Sequence, residues 1–203
     1  MKRTYLLALS AILAIVIFSA FKVNGPLPIG SDLPNADAKV KDVQGKTIVL
    51  KDARKENGLL VMFTCNTCPY VIKNQERTNA ICKFALENNF GVILLNPNEL
   101  LRDNEDSYKA MQEYAKDQKY NWFYAVDKDH ELADAFGANR TPECYLFNKE
   151  LKLTYHGGID DNPGDEASVT RIHLKEAMLE LVAGKEVSVK ESRSVGCSIK
   201  RKK

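Results

Sequence analysis

The chain has 203 residues, 44% hydrophobic and 28% charged, a balance that suits one globular domain with a real core. Lys and Arg number 29 against 27 Asp and Glu, so no strong basic field points to nucleic acid. Five cysteines are too sparse for a disulfide-stapled scaffold, which leaves them to chemistry or to packing.

Lys2 and Arg3 precede an apolar run over residues 5–21, broken only by Ser10 and Ser19. Seventeen residues is long for the core of a signal peptide and short for a membrane span. Cleavage after Ala20 would place bulky Phe18 where a small residue is wanted, and cleavage after Gly25 would place Pro26 behind the cut. Residues 1–23 therefore read as an uncleaved inner-membrane anchor, with a cleaved signal as the alternative. Either way the positive end stays in the cytoplasm and the body is exported to the periplasm. Residues 24–38, punctuated by Gly25, Pro26, Pro28, Gly30 and Pro34, read as a linker.

A hairpin is predicted over 40–50, turning at Gly45, and a buried strand over 59–63. Pro69 opens a helix whose inward face carries Val71, Ile72, Thr78, Cys82, Ala85 and Leu86. A second buried strand follows over 91–95, then a turn-rich loop and a helix over 105–119 with Tyr108, Met111 and Ala115 inward. Trp122, Phe123 and Tyr124 belong to a short core strand, and a helix over 131–136 stops at Gly137. Strands over 144–147 and 151–155 form a second hairpin, and a helix over 169–182 closes the domain. This order predicts an α/β, thioredoxin-like fold over 39–184, a central mixed sheet flanked by helices, with a polar tail over 185–203 whose basic end (Lys200 to Lys203) is solvated.

Cys65 and Cys68 stand two residues apart, between the end of a buried strand and the start of a helix. A helix N-terminus presents unpaired N–H groups and partial positive charge, both of which favour thiolate, the attacking species. Cys65, taken as the more exposed, is the expected nucleophile, and Cys68 the resolving thiol. A zinc site would want a second pair of ligands, whereas His130, His156 and His173 are scattered. No phosphate-cradling glycine motif is present, so no organic cofactor is implied. Thr141-Pro142, which lies 74 residues after Cys68 and directly before an apolar strand, reads as a cis peptide facing the cysteine pair and offering backbone to an extended substrate.

The segments Phe63 to Val71, Arg140 to Glu143 and Ser194 to Lys200 resemble a bacterial thioredoxin-like group filed with the redoxin and peroxiredoxin-like (alkyl hydroperoxide reductase/thiol-specific antioxidant) proteins. The resemblance runs from Gly30 to Lys200 and implies thiol redox activity. One departure is Thr67, where that group commonly has His. Another bears on mechanism: a peroxiredoxin carries Thr or Ser three positions before its reactive cysteine, and Met62 stands there. The expected function is therefore disulfide exchange with protein thiols or a small thiol reductant. Thiol peroxidase activity is the alternative, and a non-catalytic adaptor using the cis-proline groove is a third reading. Cys82 and Cys144 read as core residues, with a role at the site conceivable for Cys144. Cys197 either folds back on the site, pairing with a catalytic cysteine, or stays free in the tail. Arg140 is a surface arginine by default, with thiolate or carboxylate binding as its functional alternative.

Overall fold

A computed structural model describes residues 25–202. The apolar segment read as an anchor or signal lies outside the described residues. Among the described residues no helix is long and apolar enough to cross a membrane.

The sequence first makes an antiparallel hairpin, β1 (Lys39–Asp42) and β2 (Thr47–Val49), turning at Gly45. β3 (Gly58–Phe63) follows, buried at every position as its unbroken apolar run requires. The helix expected from Pro69 is two helices, α1 (Pro69–Lys73) and α2 (Gln75–Glu87), joined at Asn74. Asn74 Nδ2 donates to the carbonyls of Tyr70 and Pro163, pinning that junction to a distant loop. The break resets the helical phase, so the inward face expected for this segment is wrong at Ile72, which is exposed while Val71, Thr78, Cys82 and Ala85 are buried.

β4 (Phe90–Asn96), α3 (Tyr108–Asp117) and β5 (Phe123–Val126) come next. Ser107 caps α3, its hydroxyl accepting from the Ala110 amide. α4 (Glu131–Phe136) ends at Gly137, whose φ of 65° is the left-handed cap conformation that glycine adopts without strain. The two-residue strand β6 (Arg140–Thr141) leads into β7 (Glu143–Phe147) and β8 (Leu153–Gly157), and α5 (His173–Val182) and β9 (Cys197–Ser198) complete the chain.

Seven strands form one sheet in the order β2-β1-β5-β4-β3-β7-β8. β3, β4 and β5 are parallel, and β7 runs antiparallel to β3 and to β8. One apolar layer lies on each face: α2, α3 and α5 cover the side of Leu60, Met62 and Leu94, and α4 covers the side of Val61, Phe63 and Tyr145. Cys82 and Cys144 lie in the first layer, as the core reading expects. The segments read as linker and tail are joined to the body. Leu33, Val187 and Ile199 are buried, and Leu27 donates its amide to Phe136.

Candidate active site

β3 delivers the chain to Cys65 at the C-terminal edge of the parallel strands, and Cys68 stands at the N-cap of α1. The intervening turn is held from below. The backbone N–H of Asn66 donates to Asp106 Oδ1 at 2.8 Å, its side-chain amide donates to the Glu105 carbonyl, and its Oδ1 accepts from the Tyr124 hydroxyl. Asp106 is fully buried and also accepts from Asn96 Nδ2 and Asn98 Nδ2, each at 2.8 Å. Sequence reasoning missed this carboxylate. It sits in a turn-rich loop, where an aspartate is ordinarily solvated, and only the Asn96-Pro97-Asn98 run directly after a buried strand marks the segment as unusual.

The Thr141–Pro142 peptide is cis, as expected, and stands against both cysteines. Thr141 Oγ1 lies 3.3 Å from Cys65 Sγ, and the Cys68 thiol donates to the Thr141 carbonyl at 3.2 Å. Buried Glu143 fixes the approach to this peptide, accepting on Oε2 from the amides of Asn139 and Arg140 and meeting His156 Nε2 at 2.8 Å through Oε1. Arg140 itself is exposed, and its backbone rather than its guanidinium is engaged here. Cys144 pairs with Met62 in the sheet interior and does not join the two cysteines.

The tail supplies the largest departure from expectation. β9 pairs antiparallel with β6, placing Cys197 opposite Thr141 and Ser198 opposite Arg140. Gly196 crosses so close that a Cβ would overlap the Thr141 carbonyl. Cys197 packs against Cys65, Cys68 and Val71, so three sulfurs are contiguous with Cys68 in the middle. The tail continues through buried Ile199, the Lys200 amide on Asn98 Oδ1 at 2.9 Å, and Arg201, which pairs with Asp134 and donates to the Ala138 carbonyl. Arg201 is therefore tied down rather than solvated.

Under this cover Cys65 is 1% exposed and Cys68 4%, so the greater exposure expected of Cys65 is absent. Acidity follows the same pattern. Contact with the Cys65 thiol outweighs burial and, with the Cys197 side chain and the Val71 and Cys197 amides, lowers the Cys68 thiol below its ordinary value. Cys65 is pushed far up, first because it keeps the proton it donates, then by burial. Burial and the neighbouring Cys68 also raise Cys197. Cys65 and Cys68 therefore titrate together rather than separately, with Cys197 beside them.

The sequence profile of the AhpC/TSA family matches residues 29–156, more than half of the chain. The chain belongs to the AhpC/TSA family. An uncharacterised conserved protein from Geobacillus kaustophilus is 30% identical, with 86% of this chain and 93% of that one covered and a TM-score of 0.80. The same fold is shared with the thioredoxin domain of a thiol-disulfide oxidoreductase from Bacteroides vulgatus (20% identity, 64% and 88% covered, TM-score 0.52). It is shared equally with peroxiredoxin Q from Xanthomonas campestris (14% identity, 76% and 97% covered, TM-score 0.55). No curated protein matches the chain. Position 62, three before Cys65, is methionine, and the hydroxyl that meets Cys65 Sγ at 3.3 Å is that of Thr141 in β6.

Proposed function

We propose that this protein exchanges disulfides through the Cys65–Cys68 pair, working outside the cytoplasm. The observation that carries the reading is geometric: Cys65 and Cys68 flank the turn from β3 into α1, and their sulfurs lie 3.3 and 3.2 Å from Thr141 of the cis-proline peptide. The substrate's disulfide gains two electrons and two protons while the pair closes to a disulfide, so no further cofactor enters. Export rests on Lys2, Arg3 and the apolar run over 5–21. Recovery of the full-length chain in the cytoplasmic soluble fraction would remove that part of the proposal.

A low thiol pKa stabilises the reduced form, which predicts a reduction potential above the roughly −270 mV of thioredoxin and towards the −120 mV of the strong oxidant DsbA. Between the titrations of Cys68 and Cys65, reduction takes up two electrons and one proton. The potential therefore falls by about 30 mV per pH unit from pH 5 to 8, half the slope of a couple in which both thiols stay protonated. Equilibration in glutathione buffers measures both quantities. A potential below −270 mV with the steeper slope of about 59 mV rules out a lowered thiol pKa in the pair, and failure of Cys65 and Cys68 to close a disulfide sinks the exchange reading.

A second reading, peroxide reduction, is favoured by one observation, the Thr141 hydroxyl 3.3 Å from Cys65 Sγ. It predicts hydrogen peroxide consumption that Thr141→Val abolishes while disulfide exchange persists.

A further inference from the structure

The edge beside a cis-proline is where an extended partner would add a strand, and here the chain fills that edge with its own residues 197 and 198. The occupant carries a cysteine, and that cysteine lies in register with Thr141, against the sulfur of Cys68. Gly196 permits the close crossing, and the Lys200 amide bound to Asn98 fixes the strand's far end to the same residue that supports Asp106. Cys197 is also the only one of the three contiguous thiols that is not buried. A solvated tail would need none of these features.

We propose that Cys197 is a third redox thiol, an alternative to Cys65 as the resolving partner of Cys68, and that the Cys68–Cys197 disulfide locks the tail across the substrate edge. The inference rests on the disulfide-exchange reading. In the first step Cys68 loses its proton and attacks a disulfide R–S–S–R, forming Cys68–S–S–R and releasing one thiolate. In the second, Cys197 loses its proton and attacks the Cys68 sulfur, releasing the second R–S⁻. Two protein thiols have then given up two electrons and two protons, and the partner has become two thiols. Attack by Cys65 on Cys68–Cys197 transfers the bond to Cys65–Cys68, frees Cys197 and lets the tail lift. The oxidant is the partner disulfide, for which oxidised glutathione serves as probe.

Trypsin separates the cysteines conveniently, with Cys65 and Cys68 together in residues 56–73 and Cys197 in residues 194–200. The full-length wild-type chain and its Cys65→Ser variant are oxidised with glutathione disulfide, alkylated, digested and weighed. In Cys65→Ser the two peptides are expected joined by a disulfide, with two thiols lost per chain. In the wild type the joined species is expected as a minority beside an internal Cys65–Cys68 bond, and Cys197→Ala removes it. A stable glutathione adduct on Cys68 with Cys197 fully alkylated in Cys65→Ser, together with no joined peptide from the wild type, overturns the proposal. The wild-type internal disulfide is read in the same spectra. Its presence in that negative result discards the third thiol alone, whereas its absence discards the exchange reading beneath it.

Discussion

Asn66, between the two cysteines, and Ser198, beside the third, reach the same sulfur cluster but are held by different means. Asn66 is bonded to a fully buried carboxylate, a buried tyrosine hydroxyl and a backbone carbonyl. Ser198 is exposed and belongs to a two-residue strand whose neighbours are one buried isoleucine and a half-exposed arginine on a half-exposed aspartate. One region is a buried polar scaffold in which each group satisfies another, so no part moves alone. The other is a short strap with few deep contacts, so local opening is expected to cost less there than in the scaffold. The disulfide exchange proposed above needs two positioned thiols and an accessible edge, and a buried scaffold below the sulfurs with a shallowly held strap above them would serve both needs.

The scaffold is broken most severely at Asp106. Asp106→Ala removes the acceptor of three buried N–H bonds: the Asn66 amide and the Asn98 side chain lose theirs, and Asn96 Nδ2 keeps only the Tyr124 hydroxyl. At about 1–3 kcal/mol for each orphaned group, the expected loss of stability is at least about 3 kcal/mol. A shifted urea midpoint measures it, and the Cys65–Cys68 disulfide should form more slowly as the turn loses its anchor. A loss below about 1 kcal/mol would mean that the buried network does not carry the turn.

The strap is tested at Gly196, where an added Cβ collides with the Thr141 carbonyl and the strand must shift away. Gly196→Ala is expected to raise the alkylation rate of the buried cysteines by about tenfold, equivalent to about 1.4 kcal/mol of local opening, and to lower stability by no more than that amount. An unchanged alkylation rate would show that the tail does not limit access. The contrast with Asp106→Ala is the informative quantity, since one variant acts chiefly on stability and the other chiefly on access.

How far the sequence revealed each region follows from range. The strands over 58–63 and 90–96 are continuous apolar runs, and the helix end at Gly137 is a local signal, so the thioredoxin-like order could be read directly. The cysteine pair and the cis-proline were equally plain, because spacing and neighbours mark them. Asp106 was not legible, since its partners Asn66 and Asn96 come from the other ends of two strands and nothing local distinguishes a satisfied buried aspartate from a solvated one. The pairing of residues 197 and 198 with 140 and 141 was hidden for a similar reason: two-residue strands have no periodicity. The burial of Cys65 depends on that pairing and was lost with it. Ile72 turned outward because one asparagine side chain bonds across the fold and splits a helix that its composition would continue.

The smallest effect is expected at the end of the strap. Arg201 reaches Asp134 at 2.8 Å, but both side chains keep a third to a half of their surface in water, so solvent screens the pair. Arg201→Ala should cost less than about 1 kcal/mol, and added salt should shrink even that. Its guanidinium also donates to the Ala138 carbonyl, a bond that salt screens less than an ion pair. Thiol alkylation in Arg201→Ala therefore separates two ways of holding the tail. A rise matching that of Gly196→Ala would place the latch at the arginine. A rise of less than about twofold would place it at β9 itself, where Gly196 and Cys197 cross the cis-proline peptide and the reactive sulfurs lie beneath.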